Sequence, residues 1–437
     1  MPTMHALDAL FLQLEDRHVA LHIGAVAVFE GPAPSTAEVH ARYVRILATN
    51  PHYRRVLRHL PLEIGRPRWV DAGEVDLDYH LRRTALPAPG LSDQLEQVTG
   101  RLMSQALDQE RPLWEAWVIE GLDGDRWALL TKVHHSVVDG LGGMALFTEL
   151  LDGHGELDPP TTTGDRPALL GRLRGAVRIP HLTAGTVLHA VGGGVRLVRS
   201  LRPTSVTSLT GPLGTPRRYR TLSVALEDVR CVRAKFGGTI NDVVLTLVTR
   251  GFHDLLLARG EQPRRDAVRC LVPVSVRTAA EANTGANRVS LLLVDLPVES
   301  SDPATTHRLI RTQTAELKGS GEASAGGHGL AAADLLPPAL VAGAISLLRR
   351  VPQRVITTVA TNVPGPRTSQ TLLGRPLLAL YPWVPIAEGI RIGVAVTSYD
   401  DQLHFGVTCD WAAVPDSDVF VGAMAQALAD LTKRAAG

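Results

Sequence analysis

Lys132-Val133-His134-His135-Ser136-Val137-Val138-Asp139-Gly140 is the stretch on which the reading of this chain turns. Upstream, Trp127 to Val133 is an apolar run of strand length. Downstream, Leu141 to Leu151 has helical spacing, with Met144, Phe147 and Leu151 on one side, so the two histidines are expected where a strand ends and a helix begins. Loops held at such junctions by a rigid scaffold commonly carry chemistry. A neutral imidazole is the natural general base near pH 7. Asp139, four residues beyond His135, is placed to hold the loop by hydrogen bonds or charge, and Gly140 permits a sharp or close-packed turn. The competing reading is an ordinary surface loop. A metal site needs a third ligand, and the chain has no HExxH, no CxxC and no cysteine nearby. What remains is proton transfer from a hydroxyl, thiol or amine by one histidine, with the other buried and structural.

Composition narrows the setting. A chain of 437 residues with 45% hydrophobic residues can bury a large core and suggests two or three domains. A formal net charge of +1 gives no global field to recruit nucleic acid. Cys231, Cys270 and Cys409 are scattered and read as buried thiols in a reducing compartment. The opening residues lack the basic region and apolar core of a signal peptide, and the longer apolar runs are broken before spanning length, so the protein is expected on the cytoplasmic side.

Around the histidines the chain alternates strands and helices. Leu7, Leu10, Phe11 and Leu14 predict a short helix over 5–15, ending at Glu15. Leu21 to Glu30 reads as a strand, and Ser35 with Glu38 as a capping box opening a helix over 36–48. Ser92 is expected to cap the next helix. Gly121 to Asp125 joins two strands in a hairpin that delivers His134 and His135. His80 has no acidic or glycine-rich neighbourhood and reads as a surface or core residue. In the second half, Thr239 or Asn241 caps an apolar helix over 243–257, and Arg391–Tyr399 pairs with Leu403–Thr408 around Asp400-Asp401; Asp416 is expected to cap the last helix. Between the halves, residues 166–220 hold ten arginines and no acidic residue. That segment is either a basic linker or a patch for anionic head groups or CoA phosphates. Residues 331–349, ending in Arg349-Arg350, are a second candidate for contact with membrane or oil.

His134-His135-Ser136-Val137-Val138-Asp139-Gly140 resembles the HHxxxDG motif of the CoA-dependent acyltransferase superfamily. Four further blocks, Leu107–Glu115, Gly238–Leu245, Val272–Arg277 and Thr361–Pro366, resemble the bacterial wax ester synthase/diacylglycerol acyltransferase family and follow its order across nearly the whole chain. The resemblance implies an α/β fold of two similar chloramphenicol acetyltransferase-like domains, each an open mixed sheet with packed helices. The domains are expected at 1–152 and 216–437, with a basic, partly helical crossing segment over 153–215. It also implies a fatty-acyl transfer from acyl-CoA, a co-substrate and not a bound cofactor, to the hydroxyl of diacylglycerol or a long-chain alcohol. By the same resemblance His135 is the base, His134 supports it from within, and Asp139 with Gly140 shapes the loop. Asn241 would orient the hydroxyl or donate to developing charge, and Glu15, Asp242 and Asn362 are candidates for the substrate channel. Attachment would be peripheral, at the inner membrane or lipid inclusions, with no nucleic acid and no metal. Two alternatives stay open: a condensation-type transferase using carrier-protein thioesters, and a non-catalytic lipid-binding protein on the same fold.

Overall fold

The hairpin that carries the histidines is the centre of the first of two sheets in this computed structural model, which describes residues 11–58, 67–138, 140–152, 203–205, 207–275, 289–319 and 354–436. Strand β5 (Trp114–Leu122) and strand β6 (Arg126–His134) pair antiparallel, and β6 also pairs with β1 (His22–Glu30). Residues of β6 are buried on both faces, because α-helices or strands cover each side of the sheet. Strand β4 (Leu81–Ala85) adds parallel to β5, and the full order is β11-β12-β1-β6-β5-β4, a mixed open sheet.

Helix α1 (Thr36–Thr49) begins at the expected capping box, with Ser35 and Glu38 each bonded to the other's backbone amide. Helix α2 (Ser92–Met103) starts one residue earlier than a Ser92 cap would require, since Leu91 is the N-cap and its amide bonds Gln94. Asp78 to His80 lie in a helical turn capped by Asp76, and strand β4 begins at Leu81. Helix α3 (Gly140–Thr148) follows the histidine turn.

The second sheet has the order β7-β14-β13-β10-β8-β9 and is also mixed. It comprises β7 (Arg217–Ala225), β8 (Arg269–Ser275), β9 (Val289–Asp295), β10 (Thr358–Pro364), β13 (Ile392–Tyr399) and β14 (Gln402–Asp410). Asp400 and Asp401, at φ 46° and 57°, make the β13–β14 turn. Helices α4 (Leu226–Phe236), α5 (Ile240–Ala258), α6 (Pro303–Gly319) and α7 (Ser417–Ala436) pack on this sheet. Helix α5 is apolar nearly all round, and Val243, Val244, Leu247, Phe252 and Leu255 are buried in the core. Asp416 does not cap α7 with its side chain; Arg259 takes both carboxylate oxygens. Cys270 and Cys409 are buried as expected, whereas Cys231 is exposed on α4.

Two features depart from a reading of two separate halves. Strand β12 (Arg375–Trp383), with the short β11 (Thr371–Leu372), comes from the second half yet pairs with β1 in the first sheet. The nearby extended run Thr358–Pro364 is β10 and stays inside the second sheet between β8 and β13. Pro376 and Pro382 break the alternation that would have marked β12 as a strand. The other tie is Arg217, which opens β7. It is buried, its guanidinium donates to the carbonyls of His18 and Gly214 and lies 3.8 Å from Asp410, and its amide donates to Ser104 Oγ. Of the basic segment 166–220, residues 166–202 and 206 lie outside the described residues, as do the second membrane candidate at 331–349 and Asp139. Among the described residues no helix is long and apolar enough to cross a membrane.

Arg217→Ala should lower the unfolding free energy by about 3–5 kcal/mol, the usual cost of breaking a buried ion pair from one side. Urea denaturation followed by circular dichroism measures it, and a loss below about 1 kcal/mol would show that the contacts at His18 and Asp410 carry little.

Candidate active site

Strand β6 ends on His134, which faces the layer under α2, and His135 opens the turn that follows. His134 is fully buried and His135 half-buried. The turn closes on His134 itself. Its carbonyl accepts the Val137 amide at 2.9 Å, and its Nδ1 accepts the Ser136 amide at 3.1 Å and the Ser136 hydroxyl at 2.7 Å. Because Nδ1 accepts, the proton of the neutral ring sits on Nε2. That Nε2 lies 3.5 Å from Glu15 Oε2.

Glu15 therefore belongs to this centre. Its side chain is 7% exposed and sits between two imidazoles, with His22 Nε2 3.3 Å from Oε1. Oε1 also accepts the Leu21 amide at 3.2 Å, and Gln109 Nε2 donates to Oε2 at 3.1 Å. Burial alone would raise this carboxyl, but the two imidazoles facing it, His134 and His22, outweigh burial and hold the group well below the usual carboxylate range. His22 stands directly opposite His134 in the β1–β6 register, with ring centroids 5.8 Å apart. Burial pushes His22 down to about 4, against the opposing pull of Glu15, so it is neutral at pH 7.

One residue pair before His134, Lys132 points to the same face. It is buried, and its ammonium donates to the carbonyls of Leu102, at 3.1 Å, and Gln105, at the C-terminal end of α2 where backbone acceptors lack helical partners. Burial lowers Lys132 to about 8, partly offset by Glu115, whose Oε2 is 3.9 Å away. On the other side of the turn, His135 stacks on Phe11 with centroids 4.1 Å apart and planes at 25°. Its amide donates to Leu21 O at 2.9 Å.

The remaining candidates sit elsewhere. Asp242 is buried and its carboxylate is used locally: Oδ2 accepts the Thr239 amide and hydroxyl at 2.7 and 2.8 Å, and Oδ1 accepts the Thr314 hydroxyl at 2.7 Å. It is the capping-box acid of α5 and a tie to α6, not a lining residue. Asn241 is half-buried on the first turn of α5, and Thr239 is the cap. Asn362 is on β10, a strand that runs against α3, the helix opened by Gly140. His80 is a core residue whose Nδ1 bonds Trp114 O at 2.7 Å. A cavity of about 330 Å³ between α2, β1, β12, β7 and β14 reaches Val26 and Val28, roughly 13–20 Å along β1 from His22, so it is not where His135 acts. His22, Ser136, Lys132 and the Phe11 stack were not read as site features from sequence. Only His22 had a signal there, a polar residue opening a strand otherwise apolar, and its meaning depends on the register with β6.

Comparison with known proteins gives the family. Residues 4–244 match the wax ester synthase/diacylglycerol acyltransferase catalytic domain, and residues 285–432 match the C-terminal domain of the same family. A putative diacylglycerol O-acyltransferase of Mycobacterium bovis is 40% identical, the match covering 99% of this chain and 96% of the relative. The probable diacylglycerol O-acyltransferase tgs2 of Mycobacterium tuberculosis is 29% identical over 99% of both. Among solved structures, the wax ester synthase/diacylglycerol acyltransferase from Marinobacter aquaeolei VT8 superposes with a TM-score of 0.73 at 25% identity, covering 100% of each chain. A condensation domain of the calcium-dependent antibiotic synthetase, at 16% identity and TM-score 0.62, shares the fold. The chain belongs to the wax ester synthase/diacylglycerol acyltransferase family, a class of acyltransferases built on paired mixed sheets.

The depressed His22 has a consequence for stability. An unfolded imidazole titrates near 6.5 and the folded one near 4, so between these values the unfolded chain binds the extra proton. Stability is complete above about pH 6.5 and falls as pH drops toward 4. His22 contributes about 2 kcal/mol of that fall between pH 7 and 4.5. Urea unfolding at the two pH values should show His22→Gln losing less on acidification than the parent; equal losses would place His22 in solvent. In the same assay at pH 7, Asp242→Ala should cost roughly 1–3 kcal/mol while leaving kcat of the folded fraction near the parent value, because only a cap and a helix tie are lost.

Proposed function

We propose that this protein transfers a long-chain fatty acyl group from acyl-CoA to the hydroxyl of diacylglycerol or a long-chain alcohol, with His135 as general base. The observation that carries the reading is a half-buried imidazole at a strand end, its partner ring locked behind it by Glu15 and Ser136, in a chain of this family. A hydroxyl is a weak nucleophile until its proton leaves as the bond forms. His135 takes that proton while the oxygen attacks the thioester carbonyl. As the C–S bond breaks, the imidazolium returns the proton to the departing CoA thiolate, so base and acid are one residue. Ser136 is no rival nucleophile: it is buried, and no Gly-x-Ser-x-Gly elbow surrounds it. A direct transfer without an acyl-enzyme follows.

Asn362, on the strand β10 that abuts α3, is the second-half candidate for lining the substrate channel; Asn241, on the first turn of α5, is the candidate donor to the developing oxyanion. Asp139 and Gly140 shape the loop after the histidines. The acceptor is insoluble in water, so the enzyme works at a lipid surface, attached peripherally on the cytoplasmic side.

Product analysis after incubation with palmitoyl-CoA and either diacylglycerol or hexadecanol tests the reading directly. Triacylglycerol or wax ester is expected, and neither would defeat it. His135→Ala should lower kcat by about two to four decades with the fold retained. Near-parent transfer by that variant would remove His135 as base.

A further inference from the structure

Phe11 and Glu15 are one helical turn apart, and the Glu15 amide bonds the Phe11 carbonyl at 3.2 Å, so both side chains leave the same face of the segment. One meets each histidine. Phe11 lies against the ring of His135, centroids 4.1 Å apart and nearly parallel, while the Glu15 carboxylate faces His134 Nε2 at 3.5 Å. A second path joins the same two points. Glu15 Oε1 accepts the Leu21 amide, and the Leu21 carbonyl accepts the His135 amide at 2.9 Å. The carboxylate is thus tied to the ring of His134 and, through one residue, to the backbone of His135. From His134 the chain of contacts continues to Ser136, which closes the turn.

We propose that the segment 11–15 is a two-point clamp on the paired histidines, in which Phe11 fixes the ring of His135 and Glu15 the ring of His134, making both positioning residues for acyl transfer. The proposal rests on the transfer reaction above and adds residues that never touch the reacting atoms. A base works only within hydrogen-bond reach of the hydroxyl, and a misplacement of about 1 Å costs on the order of a hundredfold in rate. His135 opens the turn after β6, and Phe11 lies flat against its ring. A flat aromatic partner restricts ring rotation without offering a competing hydrogen bond. Glu15 does the same work for His134 by charge, with His22 facing its other oxygen and Gln109 bonded to the carboxylate.

The test uses the full chain and palmitoyl-CoA with hexadecanol or diacylglycerol. Phe11→Ala should lower kcat about a hundredfold while the KM for palmitoyl-CoA stays within about twofold, and Phe11→Tyr, which keeps the stack, should restore kcat. Glu15→Gln keeps one acceptor oxygen of two and should fall in the same direction by about tenfold. Where Phe11→Ala does not fold, Phe11→Leu takes its place. A folded Phe11→Ala with parent kcat, or with its loss in KM, overturns the clamp, as does failure of Phe11→Tyr to restore the rate. A parent protein that makes no ester overturns the proposed function instead. The clamp is then judged by diethylpyrocarbonate modification of His135, resolved from His134 by fragment mass: severalfold faster reaction in Phe11→Ala supports it, and an unchanged rate overturns it.

Discussion

The carboxylate of Glu15 lies where water scarcely reaches, and an ionised group so placed costs several kcal/mol unless its lone pairs are filled. One backbone amide and one side-chain amide bond it, and two imidazoles face it at 3.3 and 3.5 Å. That requirement organises the neighbourhood. His134 turns Nε2 toward the carboxylate, its Nδ1 accepts from Ser136, and His135 opens the turn between them. The position of the base is a consequence of satisfying a buried charge beside it.

The layer beneath repeats the logic with opposite sign. Lys132 is buried two residues before His134, and its ammonium takes the carbonyls that α2 leaves open at its C-terminal end. Glu115, near Lys132, is in turn bonded by Trp117 at 3.2 Å and lies 3.4 Å from Arg82. The polar face of β6 therefore runs Lys132 then His134, each committed to a different partner. The opposite face is apolar and packs with Trp114, Leu129 and Val133. A strand can carry both because successive side chains alternate.

The two sheets are not independent supports for this centre. Strand β12 enters the first sheet from the second half and forms the other neighbour of β1, the strand that carries His22. Tyr219 of β7 is buried and donates to Pro382 O of β12 at 2.9 Å, which binds the inserted strand to the second sheet as well. Strain or loosening in the second half thus reaches His22 through one strand. The fold is shared with a condensation domain at 16% identity, so the sheets alone do not fix the acceptor; that choice belongs to the site.

Sequence by itself determined what is local. The Ser35–Glu38 box, the 121–125 hairpin, the Asp400-Asp401 turn and the break between His134 and α3 are set by residues within a few positions of one another, and all were legible. The motif and its blocks carried the family, because their order survives without any knowledge of contacts. Tertiary structure alone decided what depends on register or distant pairing. His22 is an unremarkable polar residue until β1 is set antiparallel to β6 with His22 against His134. Phe11 and Leu14 share an apolar stripe in sequence, yet Phe11 lies on a histidine. Asp242 and Glu15 both matched family blocks, and only packing separates them: one carboxylate is used up by a helix cap, the other is shared between two imidazoles. Two prolines hid β12, since a strand's fitness for a sheet edge or interior is fixed by which amides its neighbours need, and those neighbours lie more than 300 residues away.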